Sequence, residues 1–262
     1  MTHQTTTSED DVDRSERIPT TLRLLTLLEE VVRRGGPVTP TDLADTTDLP
    51  KATLHRLFQT LETEGYLQRE PDGRAYSVGP RTRSLAMATM SSMRMRTPRL
   101  AIMRALAKDI GETCNFAIPD REAMVYLDRV ETEWPLRVQF SVGTQVPFYC
   151  TAGGKLYLST LSNLRLGSYL RNADLTRLTP NTITDPEALR AEIMKIREQG
   201  FAVDNEEFLE GVIAFAMPLR DQHGRMPATI AFQGPTQRIS VEQGYTHLPR
   251  LKRAAEELSA LL

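Results

Sequence analysis

The chain is poor in the residues that build metal, redox and disulfide sites. It has two cysteines, Cys114 and Cys150, which lack a C-x-x-C spacing and are too few for a disulfide framework. Its four histidines, at positions 3, 55, 223 and 247, form no H-E-x-x-H motif. We therefore expect no metal site, no cofactor and a reducing compartment.

Long apolar runs and a strong charge of one sign are also missing. No segment approaches the roughly 18 apolar residues of a membrane span, and residues 1–16 are polar and acidic, without the hydrophobic region of a signal peptide. The formal net charge of −2 gives no sign of a polyanion partner. We expect a cytoplasmic protein that does not contact membranes, with a disordered tail over residues 1–16.

Residues 38–78 have the pattern of two short helices, a tight turn and a β-hairpin, which is the plan of a winged helix-turn-helix. Thr39 is a good N-cap, with Pro40 at the first helical position and Asp42 placed for a capping box. Asp48-Leu49 forms the turn, and Pro50 starts the second helix because its fixed φ suits a first turn. Gly65 ends that helix in left-handed geometry.

The second helix has two different faces. One is apolar at helical spacing and consists of Leu54, Leu57, Phe58 and Leu61. The opposite face is small, polar and cationic, as needed to touch bases or phosphates in a major groove. A wing follows, with strands over 66–68 and 75–78 joined by a turn at Pro71-Asp72-Gly73. The predicted DNA-binding residues are Thr39, Lys51, Ala52, Thr53, His55, Arg56, Gln59 and Arg74. Residues 14–80 hold nine basic against ten acidic residues, so recognition must be local.

Two helices flank this unit. The first runs from Pro19 to Arg34 and is expected to pack through a stripe at Leu22, Leu25, Leu28 and Val32. After the wing, residues 81–108 hold seven Arg or Lys, no acidic residue and five of the ten methionines. This pattern predicts a linker helix that breaks or bends at Thr97-Pro98 and has a Met-rich seam for a subunit interface close to phosphate. A solvated basic face is the equal alternative.

From residue 113 onward the pattern changes to short strands mixed with helices. We expect strands at 114–119, 123–130, 136–140, 211–219 and 228–234, with helices at 153–161 and 186–199. This is typical of an α+β domain built on an antiparallel sheet. Free amides at Gly153 and Gly154, where a helix begins, would form an anion or carbonyl site.

Three motifs carry a family resemblance in the same order along the chain. Residues 43–67, 146–161 and 182–240 resemble the IclR family of bacterial transcriptional regulators, and the likeness covers nearly the whole chain from about Arg17. The resemblance implies a winged helix-turn-helix at 17–79, a linker helix at 80–97 and a GAF-like effector-binding domain at 98–262. It also implies an operator in double-stranded DNA, a homodimer and plausibly a dimer of dimers.

The resemblance also implies an effector pocket, with Asp204 beside the ligand. Together with the predicted helix start, it gives the pocket residues Val138, Val146, Cys150, Thr151, Ala152, Gly153, Gly154, Asp204, Val212, Ala214, Ala231 and Gln233. Family members that bind very small keto acids carry cysteine or hydroxyl residues where this chain has Ala214 and Ala231, and serine at Gln233. Those keto acids are therefore not expected as effectors. The Gly153 and Gly154 amides favour an anionic oxygen and Asp204 requires a donor, so a small organic or aromatic acid is expected.

The hypothesis is a ligand-responsive transcriptional regulator of a catabolic or metabolic operon. One alternative is an enzyme with Cys150 as nucleophile, which lacks a catalytic partner in the sequence. The other is a DNA-binding protein whose second domain serves only for assembly.

Overall fold

The computed structural model describes residues 22–47, 49–90 and 92–262. The predicted tail 1–16, the predicted start of the first helix at Pro19 and Asp48 of the turn lie outside these residues. Within them, the chain up to Thr89 forms one compact unit and the chain from Met90 forms another.

The first unit contains the two predicted helices and a third behind them. Helix α1 spans Arg23–Arg34, a 3₁₀ turn covers Pro40–Leu43, and α2 (Ala44–Thr47) and α3 (Lys51–Thr63) follow. The capping box is present: the Thr39 amide donates to the Asp42 carboxylate at 2.7 Å, and the Asp42 amide donates to the Thr39 hydroxyl at 3.3 Å. Pro50 occupies the N-cap of α3, so the helix starts at Lys51, one residue later than predicted.

The face on which α1 packs differs from the prediction. Leu27, Leu28 and Val31 are buried, whereas Leu22, Leu25 and Val32 are between 42% and 55% exposed. Only Leu28 of the predicted stripe belongs to the core. Both sets are apolar at helical spacing, and the three buried residues are those that meet the core of the unit.

The wing is a short antiparallel hairpin of β1 (Leu67–Arg69) and β2 (Tyr76–Val78), shifted by about a residue from the prediction. Asp72 shapes its turn by accepting hydrogen bonds from the amides of Arg74 and Ala75 at 2.8 and 3.0 Å. Gly73 and Gly65 both have the left-handed φ that these positions require.

The chain does not break at Thr97-Pro98, as one form of the prediction had it. Helix α4 spans Pro80–Met90, and α5 runs over Met93–Ile110 with Pro98 inside it. Helix α4 ends eight residues before the proline, and α5 begins five residues before it. Two basic residues of the predicted phosphate-facing stretch, Arg96 and Arg99, instead bind the buried Asp128 carboxylate.

The second unit is an α+β fold around one antiparallel sheet, as predicted. The six strands stand in the order β5-β4-β3-β8-β7-β6, so strands from the two ends of the unit meet at the β3–β8 pair. They are β3 (Thr113–Asp120), β4 (Ala123–Val130), β5 (Gln145–Pro147), β6 (Ala202–Asn205), β7 (Val212–Leu219) and β8 (Ala228–Pro235). The strand predicted at 136–140 does not form.

Helices cover both faces of this sheet. Helix α6 (Ala152–Thr160) packs on β6, β7 and β8, with α8 (Pro186–Gln199) behind it. Helices α5 and α10 (Leu248–Ser259) cover the other face, next to α9 (Val241–Thr246); α7 (Asn163–Asn172) packs on α8.

An irregularity in β4 decides which residues face each side. Ala117 pairs with Tyr126 and Phe116 with Asp128, so Leu127 is an extra residue that bulges out of the register. Because paired residues share a face, Tyr126 lies on the α6 side and Asp128 on the α5 side. The α6 side holds the candidate ligand site.

Candidate functional site

The outer face of α3 is exposed, as a DNA-binding surface requires. Lys51, Ala52, His55, Arg56 and Gln59 are exposed and Thr53 is half-buried. The buried face is the predicted stripe of Leu54, Leu57, Phe58 and Leu61.

Ion pairing divides the cations of the first unit into two sets. Arg33 and Arg34 bind Glu30, Arg69 binds Glu62 and Arg81 binds Glu64. Within the part of the chain that the structure describes, no ion pair involves Lys51, His55 or Arg56 on α3, or Arg74 at the wing turn.

Among the described residues, these four cationic side chains that form no ion pair thus lie on α3 and the wing. This arrangement suits a surface that meets phosphates locally without a net basic charge. Thr39 differs from the rest of the predicted set because its hydroxyl is held by the capping box, donating to Asp42 at 2.8 Å.

The second unit encloses a small polar cavity between the sheet and α6. Its volume is about 30 Å³, which is room for two or three water molecules at ~10–15 Å³ each. The lining residues are Asn115, Ala117, Met124, Tyr126, Val146, Thr151, Ala152, Gly153, Asp204, Phe208, Leu209, Val212, Ala214, Thr229, Ala231 and Gln233.

The structure brings most of the predicted pocket residues to this cavity. Three of the predicted set lie outside its lining: Val138, Cys150 and Gly154. The carbonyl of Val138 accepts a hydrogen bond from Arg129 at 3.0 Å. The sequence prediction missed Asn115, Tyr126 and Thr229. Side chains alternate between the two faces along β3, β4 and β8, and this alternation could have placed the three residues on the cavity face.

Of the two amides predicted to be free at the start of α6, the Gly154 amide is bonded, whereas the Gly153 amide has no hydrogen-bond partner among the described residues. The Gly154 amide donates to the Thr151 hydroxyl at 3.1 Å, and that hydroxyl donates to the Pro147 carbonyl at 2.7 Å. Thr151 is therefore the N-cap of the helix, and the Gly154 amide is already bonded. A Cβ on Gly154 would lie 2.4 Å from the Phe148 backbone, so this glycine permits close packing.

Asp204 holds the loop that forms one wall of the cavity. Its Oδ1 accepts the amides of Glu207 at 2.7 Å and Phe208 at 3.3 Å. Behind the loop, the hydroxyls of Thr179 and Thr182 donate to the carbonyls of Glu206 and Glu207 at 2.6 and 2.7 Å. The wall is thus tied to the chain segment before α8.

The buried ammonium of Lys155 lies beside this wall and acts electrostatically on the two buried carboxylates, Asp204 and Glu207. It binds Glu207 directly and lies 3.8 Å from the half-exposed Glu192. Burial, and then repulsion by Glu207, raise the pKa of Asp204 to about 7, although Lys155 and two backbone amides oppose the shift. Burial also raises the pKa of Glu207, against the effect of Lys155.

An amide pair on the sheet gives the cavity its other polar surface. The Asn115 Nδ2 donates to Gln233 Oε1 at 2.9 Å. Two further atoms of the pair, Asn115 Oδ1 and Gln233 Nε2, are buried without a hydrogen-bond partner among the described residues. The pair therefore presents one acceptor and one donor that remain to be satisfied.

The environment of Cys150 does not suit a nucleophile. The side chain is fully buried, and burial together with Asp204 and Glu207 raises the pKa of its thiol to about 12. A reactive cysteine needs the opposite shift. No three His, Cys, Asp or Glu residues of the described chain are grouped to hold a metal ion, and none of its helices has the length and apolarity to cross a membrane.

A winged helix-turn-helix followed by an α+β unit with a polar cavity is the architecture of a DNA-binding transcriptional regulator. Family models agree: the IclR helix-turn-helix domain matches residues 20–71, and the bacterial transcriptional regulator IclR C-terminal domain matches residues 87–260. The chain belongs to the IclR family of bacterial transcriptional regulators.

Similar proteins are known from several bacteria. The protein named "Probable transcriptional regulator SauR" of Cupriavidus necator is 36% identical over 90% of this chain and 94% of its own length. The crystal structure of Thermotoga maritima IclR is 29% identical, with a TM-score of 0.61 over 92% of this chain and 97% of that one. An IclR homologue from Microbacterium hydrocarbonoxydans, solved with 4-hydroxybenzoate, has the same fold at 24% identity and a TM-score of 0.60, covering 93% and 99%.

Membership of this family of transcriptional regulators makes the protein a regulator and not an enzyme. The alternative with Cys150 as nucleophile is therefore wrong.

Proposed function

We propose that this protein is a ligand-responsive regulator whose α3 reads an operator and whose cavity binds a small organic effector. The observation that carries the proposal is the chemistry of the two units. One exposes cations that form no ion pair on a helix suited to the major groove, and the other holds unsatisfied polar groups in the small cavity between the sheet and α6. Such a protein would act in the cytoplasm, where bacterial operators are found.

Assembly as a homodimer, with dimer pairs also possible for the family fold, would give the operator enough base pairs. One winged helix reads too few bases for genomic specificity, so two half-sites about one helical turn (~34 Å) or a multiple of it apart are expected. The exposed Leu22, Leu25 and Val32 on α1 and Leu85 on α4 support this, because they leave apolar surface uncovered in a single chain.

The effector class predicted from the sequence is a small organic or aromatic acid. The relative solved with 4-hydroxybenzoate supports a ligand of that size for the fold. The corrected start of α6 weakens the reason for an acid, because the Gly154 amide is capped by Thr151. The charges of the cavity bear on this choice and are considered below.

The test of DNA binding begins with duplexes selected by the wild-type protein from a random pool. Arg56→Ala should weaken binding to them by ~1–3 kcal/mol if Arg56 contacts a base, or by less and with a smaller salt slope if it contacts phosphate. Arg33→Ala is the matched control, because Arg33 is already bound to Glu30. Equal affinity of folded Arg56→Ala and wild type would remove α3 from the groove.

A further inference from the structure

We propose that Asn115 and Gln233 select the effector by binding a neutral group that both donates and accepts hydrogen bonds, a hydroxyl or a carboxamide, in preference to a carboxylate. The proposal rests on the cavity being the effector site, as proposed above, and it names the chemistry of the ligand.

The amide pair is built into neighbouring strands. Asn115 lies in β3 opposite Ala231 of β8, and Gln233 lies two residues further along β8, opposite Thr113. Both side chains are more than nine-tenths buried, at 2% and 6% exposed. Both line the cavity, so the groups that their mutual hydrogen bond leaves over are available to a ligand there.

Those remaining groups require a bifunctional partner. Asn115 Oδ1 needs a donor and Gln233 Nε2 needs an acceptor. A hydroxyl supplies both from one atom, and a carboxamide supplies both along one edge. A carboxylate only accepts, so it would satisfy Gln233 and place an oxygen against Asn115 Oδ1. Exchanging the oxygen and nitrogen in both amides still leaves one donor and one acceptor, so the conclusion does not depend on their orientation.

The charge of the cavity favours a neutral ligand as well. None of the lining residues is Lys, Arg or His, and Asp204 contributes a carboxylate. The nearby Lys155 ammonium is already bound to Glu207. Among the lining residues a ligand carboxylate would therefore meet one carboxylate and no cation; Arg129, which is opposite Asn115 in the β3–β4 pair and has two buried nitrogens without a hydrogen-bond partner, is not part of that lining. Ala152 and Gly153 bring the positive end of α6 to the cavity, where the Gly154 amide is committed to Thr151 and the Gly153 amide has no hydrogen-bond partner among the described residues, so a carboxylate could gain one donor there.

The experiment compares amides with their acids on the full chain at pH 8, where the acids are ionised. The probes are glycolamide and glycolate, lactamide and lactate, and 4-hydroxybenzamide and 4-hydroxybenzoate, measured by thermal shift and calorimetry. We expect at least one amide to bind about tenfold or more tightly than its acid. Gln233→Leu, which removes the unsatisfied donor, should abolish that preference, and Gln222→Leu, at an exposed glutamine, should leave it unchanged.

The outcomes separate this proposal from the proposed function. If the acids bind more tightly than the amides and Ala214→Phe, which fills the cavity, blocks them, the cavity is the effector site but the amide pair does not select as proposed. If compounds bind equally well to folded Ala214→Phe, the ligand site is elsewhere and both proposals fail. Failure of every amide to bind, or an amide preference that survives in folded Gln233→Leu, would also overturn the inference.

Discussion

Asp204 gives the sharpest test of the electrostatics of the cavity. An Asp in an unfolded chain has a pKa of about 3.9, whereas in the folded protein burial and then the Glu207 carboxylate raise the pKa of Asp204 to about 7. Between these values the native state holds a proton that the unfolded chain has released. Stability from this group is therefore full below pH ~4 and is lost as the pH rises to ~7, at roughly 1.4 kcal/mol per pH unit and about 4 kcal/mol in all.

Asp204→Asn removes the titration and keeps the Oδ1 that accepts the amides of Glu207 and Phe208. Its free energy of unfolding, relative to wild type, should increase by ~2 kcal/mol between pH 5.5 and 7 and then stay level. Urea unfolding without ligand, followed by the fluorescence of Trp134, measures this in the second unit, because the chain has one tryptophan.

The matched control is Asp109→Asn, since Asp109 is an exposed carboxylate on α5. Its stability difference from wild type should not change over the same pH range. A pH-independent difference for Asp204→Asn, or a variant less stable than wild type at pH 8, would refute the assignment of a buried carboxylate that is costly to ionise.

Three further predictions concern packing and assembly. Lys155→Met should cost ~3–5 kcal/mol of stability because it leaves Glu207 and Asp204 without their buried cation, and adding Glu207→Gln should restore part of that stability. The midpoints of urea unfolding measure both effects. A loss under about 1 kcal/mol for Lys155→Met would contradict the buried pair. Gly154→Ala should cost ~1–3 kcal/mol of stability because its Cβ would meet the Phe148 backbone. Gly167→Ala on α7 should be neutral or stabilising, because its Cβ meets only the flexible ends of Arg171 and Arg190. Equal melting temperatures of the two variants would contradict this. Leu85→Glu, at a side chain 59% exposed on α4, should convert a dimer into monomers in light scattering, and the neighbouring Ser84→Glu should not; a wild-type chain that is monomeric with and without DNA would end the dimer proposal.

Local signals account for what could be predicted about the first unit. The capping box at Thr39, the left-handed glycines at positions 65 and 73 and the apolar stripe of α3 each depend on residues within a few positions of one another. The same holds for α8, which starts at an Asp185 cap and ends at Gly200 as its pattern indicates. Family resemblance then indicated most of the residues around the cavity.

The amide pair and the charge cluster could not be obtained in this way. Asn115 and Gln233 are 118 positions apart and meet only because β3 pairs with β8. Lys155 and Glu207 come from α6 and from the loop after β6, and burial, which sets their energetics, is a property of the folded unit. Whether the Gly154 amide is free likewise depends on the geometry of the Thr151 cap.

The sequence by itself determined the order and kind of most elements, because capping, turn chemistry and apolar periodicity act over a few residues. It did not choose between two apolar stripes on α1, since Leu22, Leu25 and Val32 satisfy the helical period with Leu28 as well as Leu24, Leu27 and Val31 do. Nor did it show that the bulge at Leu127 turns Tyr126 toward the cavity and Asp128 toward Arg99. Those choices belong to the tertiary structure, because one residue of register decides the face of a strand and only the packed neighbours decide which face of a helix is buried.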